Sequence, residues 1–377
     1  MHWETLASLP LAELRRSGRF LLVDLQTPHR VVSTSARNGG QTDHVRYLVN
    51  HQSCEATGHE ARSHLIMNLG QEAYHDQVCL EIGIPPAEAA VLGTAANMNY
   101  ATVVSERDED VEVMAVVTAG VQTNAVCAGD PASWRELQDG VVKVPAVAGT
   151  INTILVASQP VHPSALARLV VNLTEAKSAA LQQLAVPSCY SPDLATGTGT
   201  DQFCVAAPLD GAKPLTSASP HMKFGEIVGR AVRRATVEAL RWQNGLEPSY
   251  TRGLFHALGR YGVKEETVFD DLEELLDPGD LQLLRKNKNA AFYEPLVGAA
   301  AHALASVLDR ARHHTLPSSV LPEAIVQQAA TLAASLAAKP HRWPEFHARL
   351  RATTQFEPKA LVLAAIAIGW HDKWRPN

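Results

Sequence analysis

The stretch GTINTILVAS, residues 149–158, has a polar entry followed by an apolar, β-branched run, the pattern of a strand buried in a sheet. Reading outward from it gives the fold class. Upstream, RFLLVDL (19–25) and HRVVSTS (29–35) form a strand pair across a short turn, and HVRYLVNH (44–51) alternates after the NGG turn at 38–40. NYATVVSE (99–106) and VEVMAVVTAG (111–120) flank an acidic RDED hairpin tip, and QFCVAAP (202–208) is a further strand downstream. Two long helices intervene, from Pro163 to about Leu184 and from about Pro220 to Trp242. Strands joined by short turns predict a mostly antiparallel sheet. The fold expected is therefore α+β, a layered domain with both long helices packed on the sheet.

After Gly245 the strand signals vanish. Helical patterns such as AAFYEPLVGAAAHALASVLDRARHH and LPEAIVQQAATLAASLAAK follow one another across Pro, Gly and Asn breaks. The expected organisation is an α+β domain over 1–245 and an all-α domain over 246–377, a length that suits two domains. The tail reads as a dimerisation bundle or a partner-docking module. The formal net charge of −6 argues against a general nucleic-acid binder. The N-terminus lacks a basic segment followed by an apolar core, and the longest apolar run near the end, ALVLAAIAIGW, is about half a membrane span. The five cysteines are odd in number and contain no CxxC, which suits a reduced, cytoplasmic protein.

Several polar residues break the local patterns. On a helical wheel centred on Leu166, the apolar residues from Leu169 to Leu184 fall within about 60°, and Lys177 sits among them at about 20°. Glu175 points the opposite way. A lysine in an apolar stripe must snorkel, pair with a carboxylate, or face a cleft. In the second helix Ser219 reads as the N-cap and Pro220 as the first helical residue, which places His221 and Lys223 where cations oppose the helix dipole. Plain surface charge is the competing reading. Gly225 and Gly229 leave a small-residue groove for close packing or a ligand.

Strand ends collect Thr118, Thr150 and Asn152, and ATGTGTD (195–201) precedes the last strand. Such groups can polarise an amide carbonyl and stabilise an oxyanion. A phosphate cradle would need a helix to follow, and no GxxxxGK[ST] is present. No GxSxG elbow is present either. His44, His51, Cys54, His59, His64, His75 and Cys79 are ligand types, but their spacing matches no zinc pattern, so no metal site is expected.

LGTAANM (92–98), VVTAGVQTNAVCAGD (116–130), GTINTILV (149–156), TEAKSAAL (174–181), ATGTGTD (195–201) and HMKFGEIVGRAV (221–232) occur in this order. Together they resemble the adenosylcobinamide amidohydrolases, the CbiZ family, over roughly residues 15–245. The tail lies outside the resemblance. In the last motif Met222 stands where the family favours a small polar residue and Phe224 where it favours leucine, whereas Lys223 and Glu226 are kept. The resemblance implies hydrolysis of the amide joining the aminopropanol arm to a corrin propionyl side chain, giving adenosylcobyric acid in cobamide salvage or remodelling. A different amidated substrate, or corrinoid binding without catalysis, is the alternative.

Amide hydrolysis requires a nucleophile, a proton donor for the leaving amine, and oxyanion stabilisation. Asp201 is the candidate base and Thr198 or Thr200 the candidate nucleophile or hydrogen-bond donor. Lys177 and His221 are candidates for protonating the amine or steadying the oxyanion. The substrate-binding candidates are Asn50, Thr118, Thr150, Asn152, Glu175, Lys223 and Glu226, with the backbone around Gly149. The expected ligand is a corrinoid that carries its own cobalt, with no protein-bound cofactor, no nucleic acid and no membrane partner.

Overall fold

The computed structural model describes residues 1–132, 150–352 and 357–375, and the backbone of 134–137 and 140–143. The chain divides into two compact units, one holding 1–190 with 194–246, the other holding 247–377 with 191–193.

In the first unit, β1 (Glu4–Leu9), β2 (Ala12–Ser17), β3 (Phe20–Leu25), β6 (Tyr47–Gln52) and β7 (Ala89–Thr94) form a five-stranded sheet in that order. A six-stranded sheet runs β5 (Gly40–Thr42), β4 (His29–Ser33), β15 (Gln202–Pro208), β13 (Ile151–Ala157), β9 (Val111–Ala119), β8 (Thr102–Asp108). Small ladders join β10 (Ala125–Val126) to β14 (Gly197–Thr198) and β11 (Trp134–Leu137) to β12 (Gly140–Lys143). Pairing is mostly antiparallel. Among the described strands, β6 with β7 and β13 with β15 are the parallel pairs. The helices are α1 (Glu60–Leu69), α2 (Gln71–Ile82), α3 (Pro163–Gln183) and α4 (Lys223–Asn244).

Side chains alternate across a strand, so a strand apolar at every position is buried on both faces. In β3, Leu21, Val23 and Leu25 meet Met114, Val116, Ile154 and Val156 of the other sheet. Phe20 and Leu22 face the opposite way, toward Val78 and Cys79 of α2. In β9, Val113, Ala115 and Val117 pack under α3 and α4. The layers therefore run helix, sheet, sheet, helix.

This differs from the expected single sheet. The segments 19–25 and 29–35 are not a hairpin but belong to different sheets. The turn between them is tied to both sides: Gln26 N–H donates to Leu11 O, and Leu209 N–H donates to Pro28 O, each at 3.0 Å.

The second long helix starts later than its sequence suggests. Its N-cap is Met222, with no side-chain cap, so His221 lies outside the helix and Lys223 begins it. Gly225 permits this start, since a Cβ there would overlap the Ser219 carbonyl. The small-residue groove is filled by packing: Asn172 Nδ2, on α3, donates to Gly225 O at 2.8 Å and to Ala218 O at 3.3 Å. Gly245 ends α4 in the left-handed region, φ +64°, and its N–H returns to Arg241 O and Leu240 O.

His51, on β6, stacks on Phe20 with centroids 4.4 Å apart, and its Nδ1 meets Tyr74 OH at 2.5 Å. Burial first, then the charges of Arg19 and Arg62, pull its pKa down to about 3. The folded state keeps this imidazole neutral, while the unfolded chain protonates it below about 6.5. Its contribution to stability is thus complete above pH 6.5 and is lost as pH falls toward 3. Between pH 6.5 and 4.5 the expected loss is about 2–3 kcal/mol at roughly 1.4 kcal/mol per pH unit. Urea unfolding of wild type and His51→Phe at both pH values isolates the contribution by difference. Parallel pH dependences for the two proteins would refute it.

The second unit contains α5 (Pro248–Thr251), α6 (Leu254–Leu258), α7 (Val268–Asp271), α8 (Pro278–Lys286), α9 (Lys288–Phe292), α10 (Pro295–Arg312), α11 (Leu321–Ala337), α12 (Trp343–Arg351) and α13 (Pro358–Lys373). All of these except α5 contribute to one apolar core. The ALVLAAIAIGW run is α13, which buries Val362, Ile366 and Trp370, and Gly369 lets it approach the Ala333 backbone of α11. No described helix is long and apolar enough to cross a membrane.

Candidate active site

Parallel strands joined by one helix bring their starting residues side by side. β13 and β15 are such a pair, with Asn152 opposite Gln202, and α3 connects them. The residues just before each strand, Thr150 and Asp201, therefore meet. The connecting helix runs back along the sheet, so its last turns return to the same end. Lys177 arrives there.

Asp201 is the hub. Its Oδ2 pairs with Lys177 Nζ and accepts the Thr198 N–H at 3.1 Å. Its Oδ1 accepts the Thr198 hydroxyl at 2.5 Å and the Ile151 N–H at 3.1 Å. Lys177 is only 12% exposed and Asp201 19%, so the lysine in the apolar stripe pairs rather than snorkels. A side chain on Gly197 would overlap Asp201 Oδ2 and come within 2.8 Å of Lys177 Nζ, which explains the glycine.

A second hydroxyl pair lies beside the hub, with Thr150 Oγ1 and Thr200 Oγ1 2.5 Å apart. Thr198 is buried, and Thr200 is exposed. Asn124 and Tyr190, which sequence reasoning did not single out, join this group. Tyr190 OH donates to Asn124 Oδ1 at 2.9 Å, and Asn124 Nδ2 reaches Thr200 Oγ1 at 3.5 Å. Their signal was the second glycine of the ATGTGTD motif, because a Cβ on Gly199 would come within 2.9 Å of Asn124 Oδ1.

Asn50, Thr118 and Asn152 form a buried chain behind the strand ends, between the two sheets. Asn50 Nδ2 donates to Thr118 Oγ1 at 2.8 Å, and Asn152 Nδ2 donates to Asn50 Oδ1 at 2.9 Å and to Gly93 O at 3.1 Å. Asn152 Oδ1 is buried with no partner among the described residues. Gly149 lies outside the described residues.

His221, Lys223, Glu226 and Glu175 are not brought to this cluster. Glu226 pairs with Lys223 and with Arg230, within the first eight residues of α4, and Arg230 pairs with Glu106 on β8. The other end of α4 reaches the candidate site's side of the sheet, where Gln243 and Asn244 accept from Asn97 N–H and Val121 N–H. The 22 residues of α4 span about 30 Å between those ends. Glu226 Oε2 balances Lys223, the cation that begins the helix, at 2.8 Å. Glu175 is exposed on α3.

Several of the histidine candidates make separate local contacts. His75 contacts Ser35 Oγ and Pro86 O, His44 contacts Asn38, and His59 Nδ1 accepts the Glu55 N–H. Among the described residues, three ligand-type side chains converge only at Asp277, Asp280 and His371 in the helical unit.

The Lys177–Asp201–Thr198 cluster thus gathers at the strand ends of a sheet core walled by helices. Residues 6–248 match the adenosylcobinamide amidohydrolase family, CbiZ, and the chain belongs to that family of amide hydrolases. An uncharacterized protein of Methanocaldococcus jannaschii is 32% identical over 236 residues, covering 60% of this chain and 88% of that one. Two solved structures are distant likenesses. A Pyrococcus horikoshii protein is 10% identical at TM-score 0.31, and a Burkholderia beta-aminopeptidase is 14% identical at TM-score 0.32. Each covers 63% of this chain and 82% of its own.

Proposed function

We propose that this chain hydrolyses the amide between the aminopropanol arm and the corrin propionyl side chain of adenosylcobinamide, releasing adenosylcobyric acid for cobamide salvage or remodelling. The observation that supports this most is the Lys177–Asp201–Thr198 cluster, which lies within the span matching the family.

A carboxylate offers about four lone-pair sites, and four donors already occupy those of Asp201. Free water is therefore a poorer partner for it than the hydroxyl it already holds. In this reading Thr198 Oγ1 attacks the carbonyl carbon and its proton passes to Asp201 Oδ1. Lys177 protonates the leaving nitrogen and recovers a proton from Asp201. Water then cleaves the acyl-threonine by the reverse sequence. The cobalt travels with the substrate, and these steps call for no protein-bound cofactor.

The test is incubation with adenosylcobinamide, with and without a chelator, followed by mass spectrometry for adenosylcobyric acid and aminopropanol. Product in both samples supports the reading. Product lost with chelator overturns the cofactor-free chemistry. Tight corrinoid binding without product replaces the enzyme by a corrinoid-binding protein.

A further inference from the structure

The short ladder between β10 and β14 does more than close a loop. Ala125 pairs with Thr198 and Val126 with Gly197, so Asn124 comes to lie across from Gly199 and Thr200. The Gly199 N–H donates to the Asn124 carbonyl at 3.2 Å, which fixes that register. The Asn124 side chain is buried against a glycine that has no room for a Cβ. A buried amide in this position has one end turned to Tyr190 and the other to the exposed Thr200 hydroxyl.

Tyr190 is held at its backbone as well as at its hydroxyl, and the residues around it are tied down. Its N–H donates to Ser188 Oγ at 3.0 Å, and Ser188 Oγ donates to Asp130 Oδ2 at 2.6 Å. The same Asp130 oxygen accepts the Cys127 N–H at 2.8 Å, and Cys189 N–H donates to Ala125 O at 2.9 Å. This lattice locks the tyrosine loop onto the segment that carries Asn124.

We infer that Asn124 Nδ2, together with the Thr200 hydroxyl, donates hydrogen bonds to the oxyanion formed from the scissile carbonyl, and that Tyr190 is the positioning residue that aims it. This rests on the amide-hydrolase reading above. A donor held rigidly at the place where negative charge develops stabilises the transition state more than the ground state. Donation from Tyr190 OH to Oδ1 keeps the Nδ2 end of the amide turned toward Thr200.

The experiment compares wild type, Asn124→Ala, Asn124→Asp and Tyr190→Phe with adenosylcobinamide as substrate. It reads kcat, KM, corrinoid affinity and melting temperature. Asn124→Ala should lower kcat by about 10²- to 10³-fold with KM and affinity nearly unchanged. Asn124→Asp, nearly isosteric, should lose as much, because a carboxylate repels the oxyanion. Tyr190→Phe keeps the ring and should lower kcat about tenfold with little change in KM. Wild-type turnover with kcat of both Asn124 variants within threefold of it overturns the inference and leaves the function standing. Equal losses in kcat and in affinity also overturn it, since they signal uniform binding. A wild type that forms no adenosylcobyric acid overturns the function and this inference together. If Asn124→Ala melts early, the isosteric Asp variant and Tyr190→Phe decide.

Discussion

Asp201→Asn should lower turnover about a thousandfold while corrinoid affinity stays within a few-fold. General-base assistance is worth about 10²- to 10⁴-fold, and here it would act on the Thr198 hydroxyl 2.5 Å from Oδ1. An amide cannot take that proton. Nor can it accept at both ends: its NH₂ group must face either Lys177 and the Thr198 N–H or the Thr198 hydroxyl and the Ile151 N–H. Each buried donor left unmatched costs about 1–3 kcal/mol, so the variant should also melt earlier. Single-turnover kinetics, equilibrium binding and a thermal melt separate the two effects. Thr198→Ala should lose turnover equally without leaving a surplus donor against the carboxylate. A well-folded Asp201→Asn protein with turnover within threefold of wild type would remove Asp201 from the chemistry.

The α+β class was legible because periodicity survives in single elements. The strands at 19–25, 111–120 and 149–158 contain consecutive apolar runs such as FLLV, VMAVV and ILVA, which signal two buried faces but do not say what covers each. A helix and a second sheet leave the same pattern, so the facing sheets stayed hidden. The tight turn before Pro28 reads as a hairpin by length alone. Only the bonds of its flanks to Leu11 and Leu209 separate the two strands. At the candidate site, the wheel exposed Lys177 as a misfit, but its partner stands 24 residues further on, beyond any local rule. His221 is a first-turn cation only if the helix begins at Pro220. The crowding of Ser219 against Gly225 moves that start, and it is a tertiary fact. Asn124 and Tyr190 lie in irregular segments, where no periodicity marks them. Gly199 of ATGTGTD is the trace of Asn124, whose side chain needs the space, as Gly197 is of Asp201 and Lys177.

The helical unit contains the largest expected effect on stability. Asp309→Ala should destabilise it by about 3–5 kcal/mol, because it strands a buried guanidinium. The Arg260 side chain is only 6% exposed and forms a two-pronged pair with Asp309, one arm at 2.7 Å. Tyr261 OH adds a bond to the same carboxylate at 2.5 Å, and Arg260 also donates to the Pro192 carbonyl at 2.6 Å, within this unit. Losing the carboxylate leaves one charge and one hydroxyl without their acceptor, against a total stability of only about 5–15 kcal/mol for a typical domain. Removing the arginine as well removes the stranded charge. Arg260→Met combined with Asp309→Ala should therefore recover part of the loss, giving a coupling of at least about 1 kcal/mol in a double-mutant cycle. Thermal unfolding followed by circular dichroism, with each transition fitted separately, measures both quantities. An Asp309→Ala protein that melts like wild type, or a cycle whose single effects simply add, would mean that water already screens the pair and that the core of the bundle stands without it.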